Sequence, residues 1–182
     1  MNEPSSISLP KIYAFIDSQN LNLSVKQDVY REGSQNLIYS GWALDFGKFF
    51  IYLKDKFNVS KAFLFIGEKP GNVRLYKYLG NAGYELVFKP TLTYKHPKSK
   101  VITKGNVDAE LVLYSMIEYN NYDKAIIVSG DGDYHCLVEY LYKEGKLEKI
   151  LIPNRYSYSS LLRKYRNYFA YVSDLKNKLE KK

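Results

Sequence analysis

Apolar residues gather along the chain in five short runs rich in β-branched and aromatic side chains: IYAFI from Ile12, AFLFI from Ala62, ELVF from Glu85, AIIV from Ala125 and KILI from Lys149. Runs that stay apolar at consecutive rather than alternating positions predict strands covered on both faces. Between them the period changes. Within residues 42–57, Phe46, Phe49, Phe50, Leu53 and Phe57 recur at steps of three and four, which lays one apolar stripe along a helix. Further helices are predicted over about 72–82, closed by Gly83, over 107–119, and over 134–144, closed by Gly145. A glycine past the last turn suits the left-handed cap that ends many helices. A final helical stretch covers about 157–168, whereas residues 22–41 and 90–104 break the rhythm and read as long loops.

Strands alternating with helices build βαβ units, whose crossovers are right-handed and whose strands run parallel. The expected fold class is therefore α/β: a three-layer sandwich with a mainly parallel central sheet of about five strands. At 182 residues the chain is close to one ordinary domain and long enough to bury a core without disulfides or a structural metal. That domain is expected to occupy residues 11–172, after a loose N-terminal arm over 1–10 and before a basic tail over 173–182.

Charge narrows the partners. Basic residues outnumber acidic ones 27 to 19, and the resulting +8 favours a polyanionic partner, with nucleic acid foremost. The 19 tyrosines add aromatic faces that can stack on unpaired bases, although most tyrosines fill cores with the hydroxyl at a wet edge. The second loop carries Lys95, Lys98, Lys100 and Lys104 together with Tyr94 and His96. Such a set can follow a phosphate backbone, or it can simply be solvated.

The opening segment, MNEPSSISLPK, has an acid and two prolines rather than a basic start and an apolar stretch, so it does not read as a secretory signal. No apolar run approaches the roughly 18–20 residues that span a bilayer. Cys136, the single cysteine, has no partner for an internal bridge and reads as a core residue. The expected address is the cytoplasm, with no membrane association; assembly into a homo-oligomer is left open.

In an open parallel sheet, ligands gather beyond the carboxyl ends of the strands. The first strand leaves through "IDSQN", which puts Asp17 and Asn20 at its exit, and the fourth leaves through "SGDGDY", which puts Ser129, Asp131 and Asp133 at its own. "KGNVDAEL" adds Lys104 and, in the first turn of a helix leading toward the fourth strand, Asp108. Each acid alone has a structural role to hand: Asp17 in a turn, Asp133 as a helix cap, Asp108 as a favourable charge at a helix start. Glycine on both sides of Asp131 points to tight backbone bends near a ligand. Several carboxylates drawn together repel one another and lose hydration, a cost that a divalent cation removes. Oxygen-only ligands suit Mg²⁺ or Mn²⁺, which can activate water and stabilise charge at a phosphodiester.

Other chemistries find less support. His135 and Cys136 are adjacent and the one other histidine is His96, so neither a zinc spacing nor a Cys-His nucleophile is visible. "DGD" lacks the later ligands of a calcium loop, and there is no P-loop.

These motifs, in this order, resemble the NYN domain family, in its LabA-like branch of the PIN-like nucleases. "FIDSQNL" is similar to the family's first-strand Asp with Asn three residues later, "KGNVDAEL" to its lysine, glycine and helix-borne Asp, and "IIVSGDGDY" to its Ser-Gly-Asp-x-Asp signature. The resemblance covers about residues 11–172. It implies a PIN-like sandwich and metal-dependent cleavage of RNA, with Asp17, Asp108, Asp131 and Asp133 as catalytic, metal-holding acids; the RNA itself is expected to be single-stranded or looped. By the same resemblance Asn20 orients metal or substrate, Lys104 contacts phosphate, and Ser129 holds a carboxylate from behind. Two departures are plain. Asn106 and Val107 both stand between Gly105 and Asp108 where the family has one aliphatic residue, and Leu111, Val112 and Leu113 occupy the part of the helix where members often carry another Asp.

The leading expectation is a Mg²⁺- or Mn²⁺-dependent endoribonuclease. The altered spacing before Asp108 keeps a second one in view, an RNA-binding regulatory module with weak or absent catalysis. A phosphatase of the haloacid dehalogenase type would need a second Asp two residues after Asp17, where Gln19 stands.

Overall fold

The computed structural model describes residues 9–90, 92–96, 99–104 and 107–182, with backbone alone over 92–96 and 99–104. The first half runs β1 (Ile12–Asp17), α1 (Ser18–Lys26), the short strands β2 (Val29–Tyr30) and β3 (Leu37–Tyr39), α2 (Phe46–Phe57), β4 (Val59–Glu68), α3 (Val73–Ala82) and β5 (Glu85–Pro90). The second half runs β6 (Leu92–His96), β7 (Ser99–Lys104), α4 (Asp108–Ile117), β8 (Lys124–Val128), α5 (His135–Lys143), β9 (Leu147–Ile152), β10 (Phe169–Tyr171) and α6 (Lys176–Leu179).

Six strands form the central sheet in the order β10-β9-β8-β1-β4-β5, and every neighbouring pair is parallel. β1 lies in the middle because its side chains are buried on both faces. Ile12, Ala14 and Ile16 enter one core, which α1, α2 and α3 cover through Leu21, Val25, Phe49, Leu53 and Leu79. Tyr13 and Phe15 enter the other, which α4 and α5 cover through Leu111, Leu137, Val138 and Leu141. The chain first winds outward from β1 through β4 to β5, then returns to β1's other side at β8 and winds outward through β9 to β10. The direction of winding reverses between β1 and β8, and such a reversal opens a crevice beyond the strands' carboxyl ends.

All five expected strands are present, and β10 is a sixth, with Phe169 in register with Ile150. Its three residues are too short a run to stand out from the polar stretch before it. Neither expected long loop is one. Within 22–41, α1 continues to Lys26, and β2 and β3 pair as an antiparallel hairpin. Within 90–104, β6 and β7 pair as a second hairpin, with Leu92 opposite Lys104 and Tyr94 opposite Ile102. Interleaved lysines and threonines hide such a ribbon, because its ladder is held by backbone hydrogen bonds rather than by a continuous apolar run.

The final helical stretch is 3₁₀ rather than α, spans Ser160–Tyr168, and is interrupted at Tyr165. Gly83 and Gly145 do take left-handed conformations, with φ of +111° and +67°, where helices end. Cys136 is exposed, not core, because the buried stripe of α5 passes through Leu137, Val138 and Leu141 and turns Cys136 outward. The chain end, read as a basic tail, packs back on the domain: Leu179 is buried and its carbonyl accepts the N–H of Asp45 at the start of α2.

Candidate functional site

β1 ends on Asp17, whose Oδ1 caps α1 by accepting the N–H groups of Gln19 at 3.0 Å and Asn20 at 2.9 Å. A carboxylate at a helix start satisfies orphan donors and meets the positive end of the dipole, so the local sequence alone fixes this side chain. Its other oxygen, Oδ2, lies 3.2 Å from the Tyr134 hydroxyl. Asn20, in the first turn of α1, reaches across with Oδ1 to accept the Gly130 N–H at 2.9 Å. The exits of β1 and β8 are thereby tied together.

Beyond β8 the loop is organised by its own polar residues. Ser129, buried, accepts the Asp131 N–H on its hydroxyl at 3.1 Å, and Asp131 Oδ1 accepts the Asp133 N–H at 3.1 Å. Asp131, not Asp133, therefore caps the single 3₁₀ turn Gly132–Tyr134 that leads into α5. The flanking glycines are closely packed. A Cβ on Gly132 would run into the Ser159 hydroxyl, and one on Gly130 would stand 3.1 Å from Tyr158 Cβ. The same segment donates the Ser159 N–H to the Gly130 carbonyl at 2.9 Å.

Tyr134 is the residue that sequence reasoning missed. Its ring is fully buried, and its hydroxyl donates to Asp108 Oδ1 at 2.6 Å while standing 3.2 Å from Asp17 Oδ2. With Leu137, Val138 and Leu141, Tyr134 reads as one position of a core-facing helical stripe, which conceals what its hydroxyl does. Asp108 lies in the first turn of α4, as expected. Lys89 near the end of β5 pairs with Glu110 of the same turn at 2.9 Å, so that helix start is also held from the sheet edge.

The electrostatics follow from this crowding. Burial pushes the Asp17 carboxyl above the usual aspartate range, outweighing the hydrogen bonds from Asn20, Tyr134 and Gln19 that pull it down, and nearby Asp108 adds to the rise. Asp133 is fully exposed, yet the charges of Asp131 and then Asp108 raise it too. Burial, the charge of Asp17 and the bond to Asp108 hold the Tyr134 phenol far above its ordinary value, so it remains a protonated donor.

Among the described residues, no three histidine, cysteine, aspartate or glutamate side chains converge as a ready-made metal cage. The donors present at the crevice are nonetheless oxygens alone. They fit Mg²⁺ or Mn²⁺, which bind through one or two carboxylates and keep several waters instead of filling an all-protein shell. Asp17, Asp108, Asp131 and Asp133 are the residues that could hold such an ion. Beside the acids runs an open, polar groove of about 610 Å³, floored by Asn20 and the Gly130 to Asp133 loop and walled by Tyr156, Ser157 and Ser159. Of the basic set, Tyr94 and Lys95 belong to β6 and Lys100 and Lys104 to β7. Their side chains, and Lys98 entirely, lie outside the described residues. No helix among the described residues is long and apolar enough to cross a membrane.

A doubly wound parallel sheet with carboxylates at its point of reversal defines an α/β protein with a candidate polar site at the strand exits. Comparison with known proteins identifies the family: the NYN domain model matches residues 11–174, and the chain belongs to that family, whose fold is that of the PIN-like nucleases. A crystal structure of a protein of unknown function from Vibrio parahaemolyticus is similar in fold, with a TM-score of 0.65 at 23% identity over 93% of this chain and 96% of that one. No curated protein matches the sequence.

Proposed function

We propose that this chain is a Mg²⁺- or Mn²⁺-dependent endoribonuclease of the LabA-like NYN branch, acting on single-stranded RNA in the cytoplasm. The observation that carries this reading is a chain of acids beyond the strand exits where the winding reverses: Asp17 linked to Asp108 through Tyr134, and Asp133 within electrostatic reach of both Asp108 and Asp131. A bound divalent ion would supply a water made nucleophilic near neutral pH and positive charge to offset that developing on the phosphate. The chain's own part is to bind and orient. Asp17 and Asp108 face each other through the Tyr134 hydroxyl, Asp131 and Asp133 stand at the rim, and Asn20 fixes the loop that carries them. The groove beside them offers serine hydroxyls and the half-exposed ring of Tyr156, groups that suit ribose and an unpaired base. The test is cleavage of a labelled single-stranded RNA by purified protein with Mn²⁺. Activity is expected to vanish in excess chelator and in Asp131→Asn; an unchanged rate in either sinks the assignment.

A second reading, an RNA-binding module with weak catalysis, draws on the absence of a ready-made metal cage among the described residues. Tight RNA binding that is indifferent to Mn²⁺, with no turnover, would favour it.

A further inference from the structure

Two carboxylates of the crevice arrive on different elements: Asp17 at the end of β1 and Asp108 at the start of α4. Between them stands one hydroxyl. Tyr134 Oη is 2.6 Å from Asp108 Oδ1 and 3.2 Å from Asp17 Oδ2, so its single proton goes mainly to Asp108 while its oxygen keeps contact with Asp17. The ring beneath is fully buried, in one core with Leu111 of α4 and Leu137, Val138 and Leu141 of α5. The hydroxyl is thus mounted on a part of the molecule that cannot shift without disturbing the core. Packing needs only the ring. A phenylalanine would fill the same space, and a buried hydroxyl is costly unless it is hydrogen-bonded, so the oxygen at this position serves the carboxylates.

We propose that Tyr134 is a positioning residue that fixes Asp108 relative to Asp17 at the site where a divalent cation would bind. The proposal rests on the metal-dependent reading above and adds to it the group that sets the geometry. Without the hydroxyl, the buried Asp17 carboxyl and Asp108 would lose the group that stands between them. With it, Asp108 is tied through Oδ1 to the same buried hydroxyl that Asp17 touches, as outer partners of metal-binding carboxylates commonly arrange.

The test compares Tyr134→Phe with Tyr122→Phe, a control that loses another buried tyrosine hydrogen bond, to the Ser115 carbonyl at 3.0 Å, away from the acids. Mn²⁺ affinity is read by the electron paramagnetic resonance signal of the free ion, and folding by circular dichroism in chelator. Loss of an outer-shell partner typically weakens metal binding by about 10- to 100-fold. That loss is expected for Tyr134→Phe, with the control unchanged and, where RNA is cleaved, kcat falling more than KM rises. In the unsubstituted protein, a slowly exchanging Tyr134 hydroxyl proton is expected by NMR, persisting when Mg²⁺ saturates the site. Unchanged or tighter Mn²⁺ binding by Tyr134→Phe overturns the proposal, as does disappearance of that proton on adding Mg²⁺. If the parent binds Mn²⁺ through Asp17 and Asp108 but Tyr134→Phe binds equally well, this inference alone fails; if the parent binds no Mn²⁺, the metal-dependent reading fails with it.

Discussion

Asn20 Oδ1 accepts the backbone N–H of Gly130 at 2.9 Å, a bond that joins the first turn of α1 to the loop leaving β8. Gly130 is buried and its carbonyl is taken by the Ser159 N–H, so this one residue is gripped from both sides of the crevice. Three segments remote in sequence meet there.

Removing the Asn20 acceptor leaves a buried N–H unpaired, which costs about 1–3 kcal/mol. Asn20→Ala is expected at the lower end of that range, because water in the adjacent groove can reach the gap. Urea unfolding measures the loss. Hydrogen exchange should show the Gly130 amide exchanging faster, while amides in the middle of β1 keep the protection of the global fold.

Gly132 is required by the approach of Ser159 rather than by its own backbone, since its φ is not in the left-handed region. Gly132→Ala should therefore destabilise by about 1–3 kcal/mol, the usual range for an added methyl in a packed site. Ser159→Gly in the same chain should recover part of that. A double-mutant cycle is the measurement, and additive effects would refute the contact as the cause.

Asp17 carries a raised carboxyl pKa in the folded protein, chiefly from burial. A group raised on folding stabilises the native state while protonated, and that contribution is lost as pH climbs from the unfolded value of about 3.9 through the higher folded value. In chelator, the parent should thus lose stability over this interval relative to Asp17→Asn, which keeps a capping oxygen but does not titrate. The gap between the two, read by urea unfolding at several pH values, should widen with pH and then level off. Exposed Asp133 contributes in the same direction.

A cation that binds only the folded state stabilises it by mass action, by about 2.7 kcal/mol at a hundred times its dissociation constant. Mn²⁺ should accordingly raise the melting temperature of the parent at neutral pH. Asp108→Asn should abolish most of that rise without lowering the melting temperature in chelator, since it removes one of the charges that push Asp17 and Asp133 up.

The strands and most of the helices could be read because their signals are local. IYAFI is apolar at every position because both faces of β1 are covered, and the Phe46 to Phe57 stripe repeats with the helical period. The places of Asp17, Asp131 and Asp133 were legible for a related reason, since in βαβ units every strand exit lies on the same edge of the sheet, and that of Asp108 because it opens a helix. The two hairpins were not, since short ribbons of mixed polarity lack a periodic apolar signal, and β10 is recognisable as a strand only beside β9.

By itself the sequence determined the class of fold, the placement of its buried strands and the acids at their ends, because periodicity and strand-exit position depend on near neighbours along the chain. Tertiary structure decided that β8 rather than β4 lies on the site side of β1, that Tyr158 and Ser159 press on Gly130 and Gly132, and that Tyr134 stands between Asp17 and Asp108. Those relationships join residues far apart in the chain, and no local pattern of apolar and polar positions records which distant surface will meet which.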